Sequence, residues 1–398
     1  MSALKYWVWL SAAPSVSPAA KAALIRHYGD AETAFHASRD EARRLGLLSE
    51  SEAEALKKHP LSEASRVLGD CERYGLQLVT YADAAYPRRL RNIYAPPAVL
   101  FVKGRLPAVD ELAAIAVVGT RRATPYGLKM GRDLAFGIIR CGGAVISGLT
   151  SGIDAAAADG ALLAGGPCIA VLGTSHEKDR GRLTPDVAAS GAVLSEYPPG
   201  APDFRSHFRE RNRILAGLAV GAVVVEAPEK SGALLFAAEA AEQGKEIFAV
   251  PGNADAPNSA GTIALMQEGA MPVGRAWDVM REFGQLYPAL HPDNGEKAPE
   301  PVPLLADRPA KPVSADKKGV DKPKGTVYID WKEQLAGLSA DQLQIISAID
   351  RGSSHIDDII EATGLGTAKV LAQLTVLEIK GFVRRQAGRR VSLNTVKK

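Results

Sequence analysis

Six short, almost wholly apolar runs, most of them followed at once by a small glycine-bearing loop, constrain this chain more than any other feature. They are Ile115–Val118, Ala144–Ser147, Ile169–Leu172, Ala192–Ser195, Ala222–Val225 and Ile247–Val250. A strand exposed on one face alternates apolar with polar residues; a run without alternation is buried on both faces, as in a parallel sheet covered by helices. Helical stretches lie between most of the runs. The pattern therefore predicts an α/β fold, a doubly wound Rossmann-like parallel sheet occupying residues 66–288.

The flanks read differently. Residues 1–65 alternate Ala-rich helical stretches with turn glycines such as Gly29 and Gly46, which suits a small SAM-like or helix-hairpin-helix-like domain. Such a domain either offers hairpin amides to phosphates or merely covers its neighbour. Residues 289–328 are rich in Pro, Lys, Asp and Gly, the composition of an extended linker with little to bury. Residues 329–398 read as three helices (338–349, 355–363, 367–380) and a hairpin (382–393), the order of a winged helix. Net charge is only +3, yet from Thr363 to Lys398 eight Lys/Arg face one acid, Glu378. Such a local excess is an electrostatic footprint that whole-chain charge conceals.

The N-terminal apolar patch Tyr6–Leu10 is too short for a membrane span or a signal-peptide core. With 46% hydrophobic and 23% charged residues, the chain reads as a cytoplasmic protein with no membrane partner. Cys71, Cys141 and Cys168 are isolated, with no CxxC, and the seven histidines are scattered. Cys141 and Cys168 are expected as buried small hydrophobes, and no metal site is expected.

In an open parallel sheet, ligands sit beyond the carboxyl ends of the strands. After the first run come Gly119, Thr120, Arg121 and Arg122; after the second, Ser147, Gly148, Ser151, Gly152 and Asp154. After the third comes the basic stretch with Lys178, Arg180 and Arg182; after the fifth, Glu226 and then Ser231 and Gly232. Bare glycines admit an anion to backbone amides at helix N-termini, and arginines add bidentate phosphate contacts. Tight turns alone would account for any one of these glycines; together they predict a phosphate-binding rim. The segment Phe204–Ile214 adds Arg205, Phe208, Arg209, Arg211, Asn212 and Arg213. Interleaved arginines and rings suit a single strand of nucleic acid, unless Arg211 and Arg213 are spent on internal ion pairs. Neither GxGxxG with a ribose-binding acid nor GxxxxGK[ST] is present, so no nucleotide cofactor is expected. Asp154 and Glu226 could serve as acid or base, or simply orient their loops.

The segments VVGTRRATPYG, SGLTSGID, LSEYPPG, FRERNRILAGLA, VVVEAPEKSGALL and IFAVPG, in this order, resemble the DprA/Smf family, and YPRRLRNIYAPPAVLFVKG resembles its lead-in. The resemblance covers about residues 80–275, and both flanking domains agree with it. It implies single-stranded DNA binding without catalysis, homodimerisation through the Rossmann domain, and protection of incoming DNA with loading of RecA in natural transformation and recombination. On this reading the DNA site comprises Gly119, Thr120, Arg121, Arg122, Ser147, Gly148, Ser151, Gly152, Lys178, Arg180, Arg182, Phe208, Arg211, Asn212, Arg213, Ser231 and Gly232. Lys369, Arg384, Arg385, Arg389 and Arg390 of the winged helix add an accessory contact. Departures from the family pattern fall at Ala158, where His is usual, at Ala233 and Phe236, where hydroxyls are usual, and at Arg209, where Pro is usual. These remove groups suited to base or sugar contacts and keep the phosphate-type ones.

Two other functions remain in view. The same sheet variant resembles phosphoribohydrolases that cleave nucleoside monophosphates, with Glu226 as the carboxylate, although their PGGxGT-x-x-E signature is absent. A transcription regulator would instead place Thr367–Lys380 in a major groove.

Overall fold

The computed structural model describes residues 3–295, 298, 339–350, 355–379, 383–386 and 390–393. They form two compact units, residues 1–306 and 307–398. The first is built on a nine-stranded sheet. Its strands are β1 (Gln77–Thr80), β2 (Val99–Gly104), β3 (Ala114–Val118), β4 (Ala144–Ser147), β5 (Cys168–Leu172), β6 (Ala192–Ser195), β7 (Gly221–Val224), β8 (Glu246–Ala249) and β9 (Met271–Pro272). The six runs read from the sequence are β3 to β8. All six are mutually parallel, in the spatial order β6-β5-β4-β3-β7-β8.

The period-2 geometry of a strand divides each run between two cores. Ala114, Ala116 and Val118 of β3 join Ile146, Ile169 and Leu194 on one face, under helices Asn212–Leu218 and Gly232–Glu242. Ile115 and Val117 join Val145, Cys168 and Val193 on the other, under Pro125–Arg140 and Ile153–Leu163. All three cysteines are free and buried. Thr124 caps the first of these helices by accepting from the Gly127 N–H at 3.1 Å, and Pro125 occupies its first turn.

The sheet is not wholly parallel. β2 lies antiparallel to β6, and β1 antiparallel to β2. A two-residue strand, β9, closes the far edge. The Val99–Val102 run is as apolar as the others, but its direction depends on a partner far along the chain, which local pattern does not reveal. Six helices between Leu4 and Tyr74 pack against β2 through Trp7, Trp9, Val67 and Phe101. The boundary expected at residue 65 falls inside the helix Ser62–Tyr74, so the helical layer runs on to β1. Near the other end, Leu290 packs on the core and the His291 N–H bonds to Cys141 O at 3.2 Å. The chain thus stays docked past 289, and most of the expected linker lies outside the described residues.

The second unit contains helices Ala340–Asp350, Ile356–Thr363 and Thr367–Ile379 and an antiparallel pair, Val383–Gln386 with Arg390–Leu393. Ile345, Ile359, Leu374, Val383 and Val391 form its core. This is the winged helix expected from the sequence. Among the described residues, no helix is long and apolar enough to cross a membrane.

Candidate nucleic-acid interface

Strand order reverses between β3 and β7, so the loops after these neighbours diverge and leave a crevice at their carboxyl ends. A cleft of about 520 Å³ opens there. Its walls are Gly119–Arg122 after β3, Arg205, Phe208, Arg209, Arg211 and Asn212 from the two short helices before β7, and Pro228, Lys230, Ser231 and Gly232 after β7. Arg121, Arg122, Arg205, Arg209 and Lys230 are exposed along it. The one acid in the lining, Asp154, is buried. The surface offered to a ligand is therefore cationic, with the amide end of the helix Gly232–Glu242 among its walls.

The floor is a buried pair. Arg211 donates from Nη1 to Val171 O at 3.1 Å, and its Nε is buried without a partner. Asp154 accepts from Thr150 Oγ1 at 2.9 Å and from the backbone amides of Gly119 and Thr150. Burial pushes the Asp154 carboxyl above its usual range, against the opposing pull of Arg211 and of these hydrogen bonds. Gly148 leaves the space between these two side chains open. A Cβ there would stand 2.1 Å from Arg211 Nη1 and 2.5 Å from Asp154 Oδ2. Gly152 has φ +78°, and a Cβ on it would lie 2.3 Å from Thr120 O. Only glycine lets these two loops touch.

Of the residues singled out from the sequence, Gly119, Thr120, Arg121, Arg122, Phe208, Arg211, Asn212, Ser231 and Gly232 come together around the cleft. Ser231 caps its helix by accepting from Ala233 N–H. Ser147, Gly148 and Gly152 stand behind it as loop supports. Ser147 is buried, donating to Asp154 O and accepting from Leu149 N–H. Ser151 is exposed on the same loop, outside the lining.

Four cations are placed elsewhere. Lys178 donates to Ala201 O at 2.5 Å and lies 3.7 Å from Asp203. Arg180 turns back onto Glu177 O and Asp179 O. Arg182 sits in a separate depression with Asp159, Leu163 and Asp186. Arg213 is buried and donates to both carboxylate oxygens of Glu196. In the winged helix, Lys369 pairs with Asp341 at 2.9 Å. Arg384, Arg385 and Arg390 lie on its two strands, and Arg389 lies outside the described residues.

Arg205 and Arg209, read from the sequence as part of the Phe204–Ile214 segment but left out of the DNA site, enter the lining, as does Lys230, which was not singled out. The first two had a signal: Arg205, Phe208, Arg209 and Asn212 repeat at the spacing that gathers one helical face. Glu226, the carboxylate an enzyme would need, is absent from the lining. It accepts from Thr124 N–H at 2.9 Å, Thr124 Oγ1 at 2.5 Å and Asn258 Nδ2 at 3.3 Å. Its role is to tie the β3 loop to the segment after β8. His207 stacks on Tyr197, and His176 Nε2 meets Phe101 O.

Comparison with known proteins agrees with this architecture. The profile of the family described as DNA recombination-mediator protein A matches residues 77–284, and that of the DprA winged helix domain matches residues 332–389. The DNA processing protein DprA of Bacillus subtilis is 39% identical over 222 residues, covering 55% of this chain and 75% of its own. Protein Smf of Synechocystis is 31% identical over 401 residues, 97% of each chain. The crystal structure of DprA from Streptococcus pneumoniae superposes with a TM-score of 0.61 at 31% identity, over 70% of this chain and 97% of that one. With relatives of this identity spanning nearly its whole length, the chain belongs to the DprA/Smf family of DNA recombination mediators.

Proposed function

We propose that this protein binds single-stranded DNA in the cleft between β3 and β7, without catalysis, and that it delivers the bound strand to RecA. The observation that carries the reading is the charge arrangement: five exposed cations line a cleft whose one acid is buried against Arg211. Such a groove tracks a phosphate backbone and carries little base information. Phe208 in the lining and Phe204, 56% exposed just before Arg205, supply rings on which unstacked bases can lie. Duplex DNA hides its base faces, so the rings favour a single strand. Homodimerisation through the sheet domain and loading of RecA during transformation rest on family membership and belong to the same proposal.

The test is an anisotropy titration of labelled oligo-dT and of a duplex across a salt series. The expected result is preference for oligo-dT, with log affinity falling by roughly 0.7 per neutralised phosphate for each decade of salt. Salt-independent binding overturns the reading. Preference for duplex favours a regulator acting through the winged helix.

A further inference from the structure

The loop after β5, Gly173–Arg182, stands outside the lining of the cleft, yet its contacts converge on the segment that forms one wall. It begins against that wall. A Cβ on Gly173 would stand 2.8 Å from Phe208 Cδ1, so a residue without a side chain gives the ring its seat. Thr174 O accepts from Ser195 Oγ at 2.8 Å, which pins the loop to the end of β6. The loop then grips the stretch just before Phe204 at two places. Glu177 Oε1 accepts from the Gly200 N–H at 2.6 Å and from Ser175 Oγ at 2.9 Å. Lys178 Nζ donates to Ala201 O at 2.5 Å and lies 3.7 Å from Asp203 Oδ1. The grip is itself braced. The Lys178 N–H bonds to Ser175 O at 3.1 Å, and Arg180 Nη1 donates to Glu177 O at 2.7 Å. Asp179 accepts from the Gly181 N–H and from Thr184 Oγ1.

The gripped stretch is stiff enough to pass the constraint on. Pro198, Pro199 and Pro202 each lock φ, and Gly200 makes the turn between them at φ +85°. The helix that follows, Arg205–Glu210, has six residues and no side-chain cap at Phe204. So short a helix has no stability of its own and takes its place from tertiary contacts. Phe204, Arg205, Phe208 and Arg209 therefore stand where the loop after β5 holds them. The Lys178 ammonium, engaged by a carbonyl and a carboxylate of this stretch, suits a clamp better than a phosphate contact.

We propose that Glu177 and Lys178 are positioning residues for the cleft: they clamp Gly200–Asp203 and so set the Phe204–Arg209 wall, without touching the strand. The proposal rests on the reading of the cleft as a nucleic-acid site. The two side chains carry opposite charges, which makes a clamp distinguishable from a field. Through the field alone, loss of Lys178 weakens the hold on a polyanion and loss of Glu177 strengthens it. Loss of either half of a clamp weakens it.

The experiment titrates labelled oligo-dT with the full chain, for wild type, Lys178→Met, Glu177→Ala and Glu177→Gln, with thermal melting of each. Lys178→Met and Glu177→Ala should both weaken binding roughly tenfold, the worth of one misplaced ring stack or charge-assisted contact. Glu177→Gln should recover most of the affinity, because its amide oxygen still accepts from Gly200 and Ser175. Field effects would instead make the two neutral variants alike. Glu177→Ala binding as tightly as wild type, or more tightly, overturns the proposal, as does a lowered melting temperature with unchanged affinity. Should Glu177→Ala fail to fold, Lys178→Met is repeated in a chain carrying Arg205→Ser and Arg209→Ser. A clamp acting through that wall then costs little more, whereas a direct phosphate contact costs as much as before and overturns the proposal. Absence of wild-type binding overturns the nucleic-acid reading and the proposal together; wild-type binding that Glu177→Ala leaves undiminished overturns the proposal alone.

Discussion

Arg121 lies over the ring of Phe208, its guanidinium carbon 5.1 Å from the ring centroid. The stack holds one face of the guanidinium and leaves its N–H edge free for a phosphate. Arg121→Ala should therefore weaken oligo-dT binding by roughly 1–3 kcal/mol. Its exposure implies an unchanged melting temperature. Arg121→Lys should recover only part of the affinity, because an ammonium neither stacks as well nor bonds bidentately. Anisotropy and thermal melting on the three proteins check this.

Arginines two residues apart should behave oppositely when mutated. Arg209→Ser removes an exposed cation of the cleft and should lower the salt slope by about 0.7, with little change in stability. Arg211→Ser instead leaves the buried Asp154 without its cation, and Arg213→Ser does the same to Glu196, whose side chain is 12% exposed. Each should cost about 3–5 kcal/mol of stability. Urea unfolding beside the salt series separates the two behaviours.

Glu52 supplies a pH signature for the helical layer. Its carboxylate accepts from the N–H and hydroxyl of both Ser17 and Ser49. Burial pushes the carboxyl up, but these hydrogen bonds outweigh it and hold it at about 2. A carboxyl lowered by folding stabilises above the ordinary glutamate range, and that contribution disappears as pH falls towards 2. Glu52→Gln should thus cost about 1–2 kcal/mol at pH 7 and almost nothing near pH 2. Denaturant unfolding at both pH values checks the sign.

Truncation should respect the docked tail. A chain ending at 295 keeps Leu290 on the core and the His291 hydrogen bond, and should melt with the full-length sheet domain. A chain ending at 288 should lose about 1–2 kcal/mol. If the wing arginines Arg384, Arg385, Arg389 and Arg390 meet phosphates, the 295 truncation also lowers the salt slope. Lys369→Ser should not lower it, because that ammonium is already paired with Asp341.

Where a residue's role follows from its own neighbourhood, the sequence displayed it. The β3–β8 runs are legible because burial on both faces forbids alternation, and Gly119, Arg121 and Gly232 because they follow such runs. The direction of β2, and the partners of Lys178 and Arg213, depend on segments distant in sequence, so local pattern could not show them. The basic stretch Lys178–Arg182 reads like a phosphate contact, yet the fold turns its first two cations onto carbonyls of nearby loops. Arg205 and Arg209 were legible in a different period, that of a helical face, which composition alone does not register.

The two walls of the cleft belong to adjacent strands, β3 and β7, yet β4, β5 and β6 with their helices intervene in the chain. During synthesis the Gly119–Arg122 wall leaves the ribosome first, while the Lys230–Gly232 wall waits until nearly the whole sheet has been made. An unfinished chain carries half a receptor, with Glu226 not yet present to brace Thr124. The cleft is therefore completed only after most of the sheet has been made. Strand order thus makes the complete cationic cleft a late product of the chain.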